Sequence, residues 1–287
     1  MNDDTLPVPL IGPEALRDWI TRGVVLLDCS FALTDTALGE RQYREAHLPG
    51  AHYVHLDRDL SGAKSGPDGR FRGRHPLPTR EAFAATAGAL GIVPATPVVA
   101  YDRQGAMYAA RAWWLLRWLG HASVAVLDGG LPAWQAVGGT VDAKPPTVRP
   151  RPPYPLGTSL VATADATQVA QSLGRRVLLD ARAAERFRGD VEPLDTQAGH
   201  IPGALNRFYG DNLGPDGRFK SRDRLRAEFA PLLGSAPAQA IHYCGSGVTA
   251  CHNMLAAEAA GWPGGVLYPG SWSEWSSDPS RPIARSG

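Results

Sequence analysis

The residues best suited to chemistry stand together in Tyr243-Cys244-Gly245-Ser246-Gly247-Val248-Thr249-Ala250. A cysteine follows an apolar run at Ala240 and Ile241 and precedes a helical pattern from Ala250 to Ala260, with two glycines in the turn between. That order predicts a strand, a tight loop and a helix N-terminus, with a thiol at the strand's end. Successive N–H groups in such a loop point inward as an anion-binding nest, and the helix end adds partial positive charge. Both favour thiolate, the nucleophilic form of cysteine. A buried structural cysteine is the competing account. The glycines are of little use to core packing and favour the reactive one.

The elements that must position this thiol come from a sequence that repeats itself. The first half reads Val24-Val25-Leu26-Leu27-Asp28, His47-Leu48-Pro49-Gly50-Ala51, Val98-Val99-Ala100-Tyr101-Asp102, and Leu127-Asp128-Gly129-Gly130 running to Trp134. The second reads Val177-Leu178-Leu179-Asp180, His200-Ile201-Pro202-Gly203-Ala204, Ile241-His242-Tyr243-Cys244, and Leu267-Tyr268-Pro269-Gly270 running to Trp275. A longer later gap in the first half suggests an insertion around Ser61 to His75. Short β-branched runs alternate with helical patterns at Ala109 to Leu119, Leu225 to Leu233 and Ala250 to Ala260, which predicts an α/β fold with a parallel sheet flanked by helices in each copy. The tryptophans Trp113, Trp114 and Trp118 are expected in the core. Between the copies, Pro145, Pro146, Pro150, Pro152 and Pro153 describe an extended connector. The expected division is therefore 1–142, a linker at 143–158, and 159–287. Ligands of such sheets bind beyond the carboxyl ends of the strands, where Cys244 is expected.

Bulk properties narrow the partners. A chain of 287 residues suits two domains. Its hydrophobic fraction of 44% and charged fraction of 20% are those of a globular protein in water. A formal charge of +1 gives no reason to expect nucleic acid or an anionic membrane as partner. No apolar run approaches the roughly 20 residues a membrane span needs. Met1-Asn2-Asp3-Asp4 is acidic where an export signal would be basic, so a cytoplasmic location is expected. Cys29, Cys244 and Cys251 are odd in number and irregular in spacing, which fits a reducing compartment rather than a disulfide framework. No histidine stands at ligand spacing on a second loop, so no metal is expected. His252 reads as a helix-surface or internally bonded residue.

The tandem arrangement, the two His-Leu/Ile-Pro-Gly-Ala turns and Cys244-Gly245-Ser246-Gly247-Val248-Thr249-Ala250 resemble the rhodanese-type sulfurtransferases, from about Leu10 to Trp275. More narrowly, the loop is similar to that of the 3-mercaptopyruvate sulfurtransferases. The resemblance implies two tandem rhodanese-like domains, an inactive first copy and a catalytic second one. Asp102 stands in the first copy where Cys244 stands in the second, and aspartate is no sulfur nucleophile. The resemblance further implies that Cys244 takes sulfur from a small donor as a persulfide and passes it to a thiophile such as cyanide, a small thiol or thioredoxin. The N–H groups of Gly245, Ser246, Gly247, Val248, Thr249 and Ala250 would stabilise the anion, with no organic cofactor required.

For the donor, Gly245 and Ser246 are neutral where rhodaneses proper carry Arg and Lys, which favours the monoanion 3-mercaptopyruvate over the thiosulfate dianion. Arg186 matches the family's substrate-binding arginine, and its fork suits a carboxylate; a surface helix charge is the other account of it. The family's second arginine is absent, since the chain reads Glu192-Pro193-Leu194-Asp195. Among Lys64, Arg70, Arg72 and Arg74, ordinarily a solvated set, a cation could replace it. A Ser–His–Asp relay proposed for the family maps onto Ser246 and His75. Its aspartate has no clear match, because Gly62 stands there with Asp59 nearby.

Rival classes fare worse. A cysteine-based phosphatase needs an arginine where this chain has Ala250, and a nucleotide-binding P-loop needs a lysine after the glycines. Thiosulfate:cyanide transfer and a non-catalytic persulfide-carrier or regulatory module are the alternative functions.

Overall fold

The computed structural model describes residues 5–286. Two compact units are present, one of Met1–Leu60, Pro78–Leu160 and Gly214–Phe219, the other of Ser61–Leu77, Val161–Leu213 and Lys220–Gly287. In the first unit β1 (Leu10–Ile11), β2 (Val25–Asp28), β3 (His52–Tyr53), β4 (Val98–Tyr101) and β5 (Val124–Leu127) form a sheet of order β1-β5-β4-β2-β3. In the second, β6 (Ala162–Thr163), β7 (Leu178–Asp180), β8 (Leu205–Asn206), β9 (Ile241–Tyr243) and β10 (Val266–Leu267) repeat it as β6-β10-β9-β7-β8. Every pairing is parallel. The expected α/β architecture of two tandem copies, each a parallel sheet flanked by helices, is the observed one.

The strands that end at Asp102 and Cys244 are central in both sheets, hence buried along their whole length: all four residues of β4 and all three of β9, His242 included, are inside. Helix Ala109–Leu119 is buried on most faces, with Trp113 and Trp114 inside and Trp118 half-buried, stacked on Trp114. It stops at Gly120, which takes the left-handed conformation at φ 95° and returns its N–H to the last turn. Helices Arg222–Leu233 and Thr249–Ala259 start slightly earlier than their apolar patterns, because Ser221 caps the first and the loop after Cys244 leads directly into the second.

The paired His-Leu/Ile-Pro-Gly-Ala turns have the same architecture in each unit. His47 Nδ1 bonds the Tyr43 carbonyl at 2.6 Å while its ring stacks on Tyr43; His200 Nδ1 bonds the Phe187 carbonyl at 2.7 Å and stacks on Phe187. The next residue donates its N–H to a buried tyrosine on the central strand, Leu48 to Tyr101 and Ile201 to Tyr243. These turns tie a helix to the strand that ends at the site.

The units are not continuous in sequence, so the expected bounds 1–142 and 159–287 do not coincide with them. The residues read as an insertion belong to the second unit because their partners lie there: Arg74 N–H donates to Ser273 Oγ at 3.0 Å. The Pro-rich stretch packs on the first unit through Arg151 to Gly88, Tyr154 to Ala84 and Gly157 to Leu119 backbone bonds. Proline withholds its own N–H, and the residues between the prolines supply these donors.

His242, in the middle of β9, makes a prediction about stability. It is buried, its Nδ1 has no hydrogen-bond partner among the described residues, and burial pushes the imidazole down from about 6.5 to about 4. The unfolded chain therefore takes up a proton that the folded chain refuses. Stability is fully present above about pH 6.5 and is lost as pH falls toward 4, by on the order of 3 kcal/mol. Thermal unfolding followed between those pH values should show a steep decline that His242→Leu flattens; parallel curves would contradict it.

Candidate active site

The loop 244–248 joins the carboxyl end of β9 to helix Thr249–Ala259, and its shape is set from both sides. Cys244 N–H donates to Ser271 Oγ at 3.1 Å, while its carbonyl accepts from Trp272 N–H at 2.9 Å and that of Gly245 from Ser273 N–H at 2.9 Å. Ser271 holds a left-handed φ of 54°, unusual for a residue with a side chain, and its hydroxyl donates to the Tyr268 carbonyl. Gly247 has φ 75°, and a Cβ there would stand 2.4 Å from the Pro269 carbonyl oxygen, so only glycine fits the turn. Val248 then caps the helix that Thr249 begins.

Cys244 is buried at 1% exposure at the floor of this loop, and Ser246 N–H reaches its Sγ at 3.5 Å. The first unit shows what such a loop holds. There the Asp102 carboxylate accepts from the N–H groups of Gln104, Ala106, Tyr108 and Ala109 at 2.8 to 3.0 Å. Burial raises the Asp102 carboxyl above its ordinary range against the pull of those donors. An anion thus sits in the nest at the position Cys244 holds in the second copy.

His75 and Ser246 meet: His75 Nδ1 lies 2.8 Å from Ser246 Oγ, both side chains buried. One oxygen of Asp59 accepts from His55 N–H at 2.7 Å at the start of a short helix. Arg186 sits beside the loop, as does Arg74. An ideal Cβ on Gly245 would be 2.7 Å from Arg74 Nη2 and 3.6 Å from Arg186 Nη1, so both guanidinium groups stand over the residue next to the cysteine. Of the other three cations, Arg70 is solvated beside Asp68, and Lys64 and Arg72 pair through their backbones in the same hairpin-like turn.

Two carboxylates tether these arginines. Arg186 donates to Glu192 at 2.7 Å and to Asp195 at 3.2 Å, and Arg74 donates to the other Asp195 oxygen. Glu192 also holds Arg182, which is committed to Asp180 at 2.7 Å. The carboxylates are 3–4% exposed, whereas the Arg74 and Arg186 side chains are 21 and 17% exposed, so the cations keep an accessible side. Burial holds the Asp195 carboxyl above its ordinary range; Arg74 and Arg186 pull it down and Glu192 pushes it up. Sequence reasoning noted the absent arginine at 193–195 but not that Asp195 organises the two present. The only signal was Arg74 beside His75.

A sulfur atom in a loop whose Ser246 N–H faces it, a hydroxyl–imidazole pair on that same Ser246 and two cations over the neighbouring Gly245 can bind an anion and perform nucleophilic chemistry on it. His252 and Cys251 point elsewhere: His252 is buried and bonded to Asn212, and Cys251 Sγ donates to the Gly247 carbonyl at 3.4 Å. Among the described residues no group of three His, Cys, Asp or Glu side chains could hold a metal ion, and no helix is long and apolar enough to cross a membrane.

Comparison with known proteins places the chain. The rhodanese-like domain model matches residues 12–137 and again 165–278. A Pseudomonas aeruginosa protein named "Probable 3-mercaptopyruvate sulfurtransferase" is 47% identical over 91% of this chain and 92% of its own length. The Mycobacterium tuberculosis "Putative thiosulfate sulfurtransferase SseB" is 43% identical over 96% of each. The structure of 3-mercaptopyruvate sulfurtransferase from Leishmania major superposes with a TM-score of 0.81 at 31% identity, covering 94% of this chain and 74% of that one.

Proposed function

The chain belongs to the rhodanese-like family, in two tandem copies, and is a sulfurtransferase; from that premise we propose that it moves sulfur from 3-mercaptopyruvate to a thiol acceptor through a persulfide on Cys244. The observation that carries the proposal is Cys244 Sγ accepting from the loop's Ser246 N–H, next to Gly245, over which the two guanidinium groups stand. Cys244 thiolate attacks the donor's sulfur, and the carbon–sulfur bond breaks with its electron pair going to the enolate of pyruvate. The proton of the donor's thiol passes to the enolate carbon, with the Ser246–His75 pair as carrier. Pyruvate and a Cys244 persulfide anion remain, the latter held by the N–H groups of residues 245–249 as Asp102 is held in the first copy. A thiolate acceptor then takes the outer sulfur and restores Cys244. A dithiol such as thioredoxin in a reducing cytoplasm is the acceptor we favour, supported by Cys29, Cys244 and Cys251 all being thiols outside any disulfide.

Arg186 and Arg74 grip the donor's carboxylate, Arg74 substituting for the arginine missing near Asp195. Steady-state rates under identical conditions test the donor. The expected kcat/KM is at least about tenfold higher for 3-mercaptopyruvate than for thiosulfate, since the loop adds dipoles but no formal charge for a dianion. Thiosulfate is the second reading, favoured by the paired guanidinium groups and by relatives bearing that name. A higher kcat/KM for thiosulfate would replace the donor and leave the nucleophile unchanged.

A further inference from the structure

We propose that Asp195 determines donor specificity: its carboxylate, shared between Arg74 and Arg186, stands in for an anion in the cradle and restricts it to donors of single negative charge. This rests on the reading of Arg74 and Arg186 as the donor's cradle. One Asp195 oxygen meets Arg74 and the other meets Arg186 at 3.2 Å, so a single carboxylate straddles both cations. It is fixed there. Asp195 N–H donates to Glu192 at 3.2 Å, and the neighbouring Thr196 hydroxyl donates to the Ser276 carbonyl at 2.8 Å.

Around this cluster Arg74, Arg182 and Arg186 are matched by Asp180, Glu192 and Asp195, leaving no surplus of formal charge. An incoming carboxylate finds guanidinium N–H donors on the accessible side, yet also feels Asp195 behind them. Coulomb repulsion is linear in the ligand's charge, so a dianion is repelled twice as strongly as a monoanion. Neutralising Asp195 should therefore help a dianion by the square of the factor by which it helps a monoanion.

The test is Asp195→Asn, which keeps the shape and one acceptor oxygen while removing the charge. The expected result is a rise in kcat/KM of about tenfold with 3-mercaptopyruvate and about a hundredfold with thiosulfate, moving the ratio toward thiosulfate by about tenfold. Asp195→Ser, smaller and equally neutral, should shift the ratio the same way. A purely structural role would lower both values together and leave their ratio unmoved, which would overturn the inference. Arg74→Ala separates the two levels of the argument. A raised KM in Arg74→Ala with an unmoved donor ratio in both Asp195 variants removes Asp195's role and leaves the cradle standing. An unchanged KM in Arg74→Ala removes the cradle and this inference with it.

Discussion

Cys244→Ser abolishes sulfur transfer, with kcat/KM falling by about 10⁴-fold or more for every donor. The side chain is buried and its Sγ accepts from Ser246 N–H, and the smaller hydroxyl of serine fits the same space. The loop is held by main-chain bonds from Ser271, Trp272 and Ser273 that do not involve the sulfur. Folding is thus preserved to within about 1 kcal/mol, as expected for a near-isosteric exchange. What vanishes is the chemistry. A serine hydroxyl is not ionised at neutral pH, and its oxygen does not carry a sulfane sulfur. Matched unfolding curves and rates decide the matter: residual turnover within tenfold of the parent would show that another group accepts the sulfur.

The second large effect is Arg186→Ala. The guanidinium contributes charge-assisted hydrogen bonds to the donor's carboxylate, worth about 3–4 kcal/mol together, so kcat/KM falls by about 10²- to 10³-fold, mostly through KM. Structural damage is limited by redundancy. Glu192 keeps Arg182 and the N–H groups of Leu194 and Asp195, and Asp195 keeps Arg74. Arg186→Lys should recover only part of the loss, because an ammonium cannot present two parallel donors to Glu192 and the donor at once. Steady-state kinetics on both variants check this; an unchanged KM in Arg186→Ala would reduce the residue to a structural ion pair.

Much of this arrangement was legible in the sequence where local chemistry dictates it. The glycines around Cys244 announce a turn that few other residues can make, and the structure shows why at Gly247, pressed against Pro269. The helix at Ala109–Leu119 has the expected bounds because its apolar residues are continuous and Gly120 ends it. Repetition exposed the two-copy architecture, through the same order of strand, turn and strand in each half. His75 and Ser246 were paired only through the family resemblance, and the structure brings them to 2.8 Å. The rest depends on contacts that no local pattern encodes. Asp195 and Arg74 are 121 residues apart and meet through irregular loops, where neither a helical nor a strand period marks a facing side. Ser271 at positive φ gave no sign of its conformation, since the usual marker for it is glycine.

The sulfur-bearing intermediate can be weighed directly. Mass spectrometry of the intact protein and of its digest after brief exposure to 3-mercaptopyruvate, without acceptor, should show a gain of about 32 Da that maps to the peptide containing Cys244, is removed by a dithiol reductant and is absent from Cys244→Ser. An unmodified Cys244 during turnover, or the same added mass retained in Cys244→Ser, would contradict it.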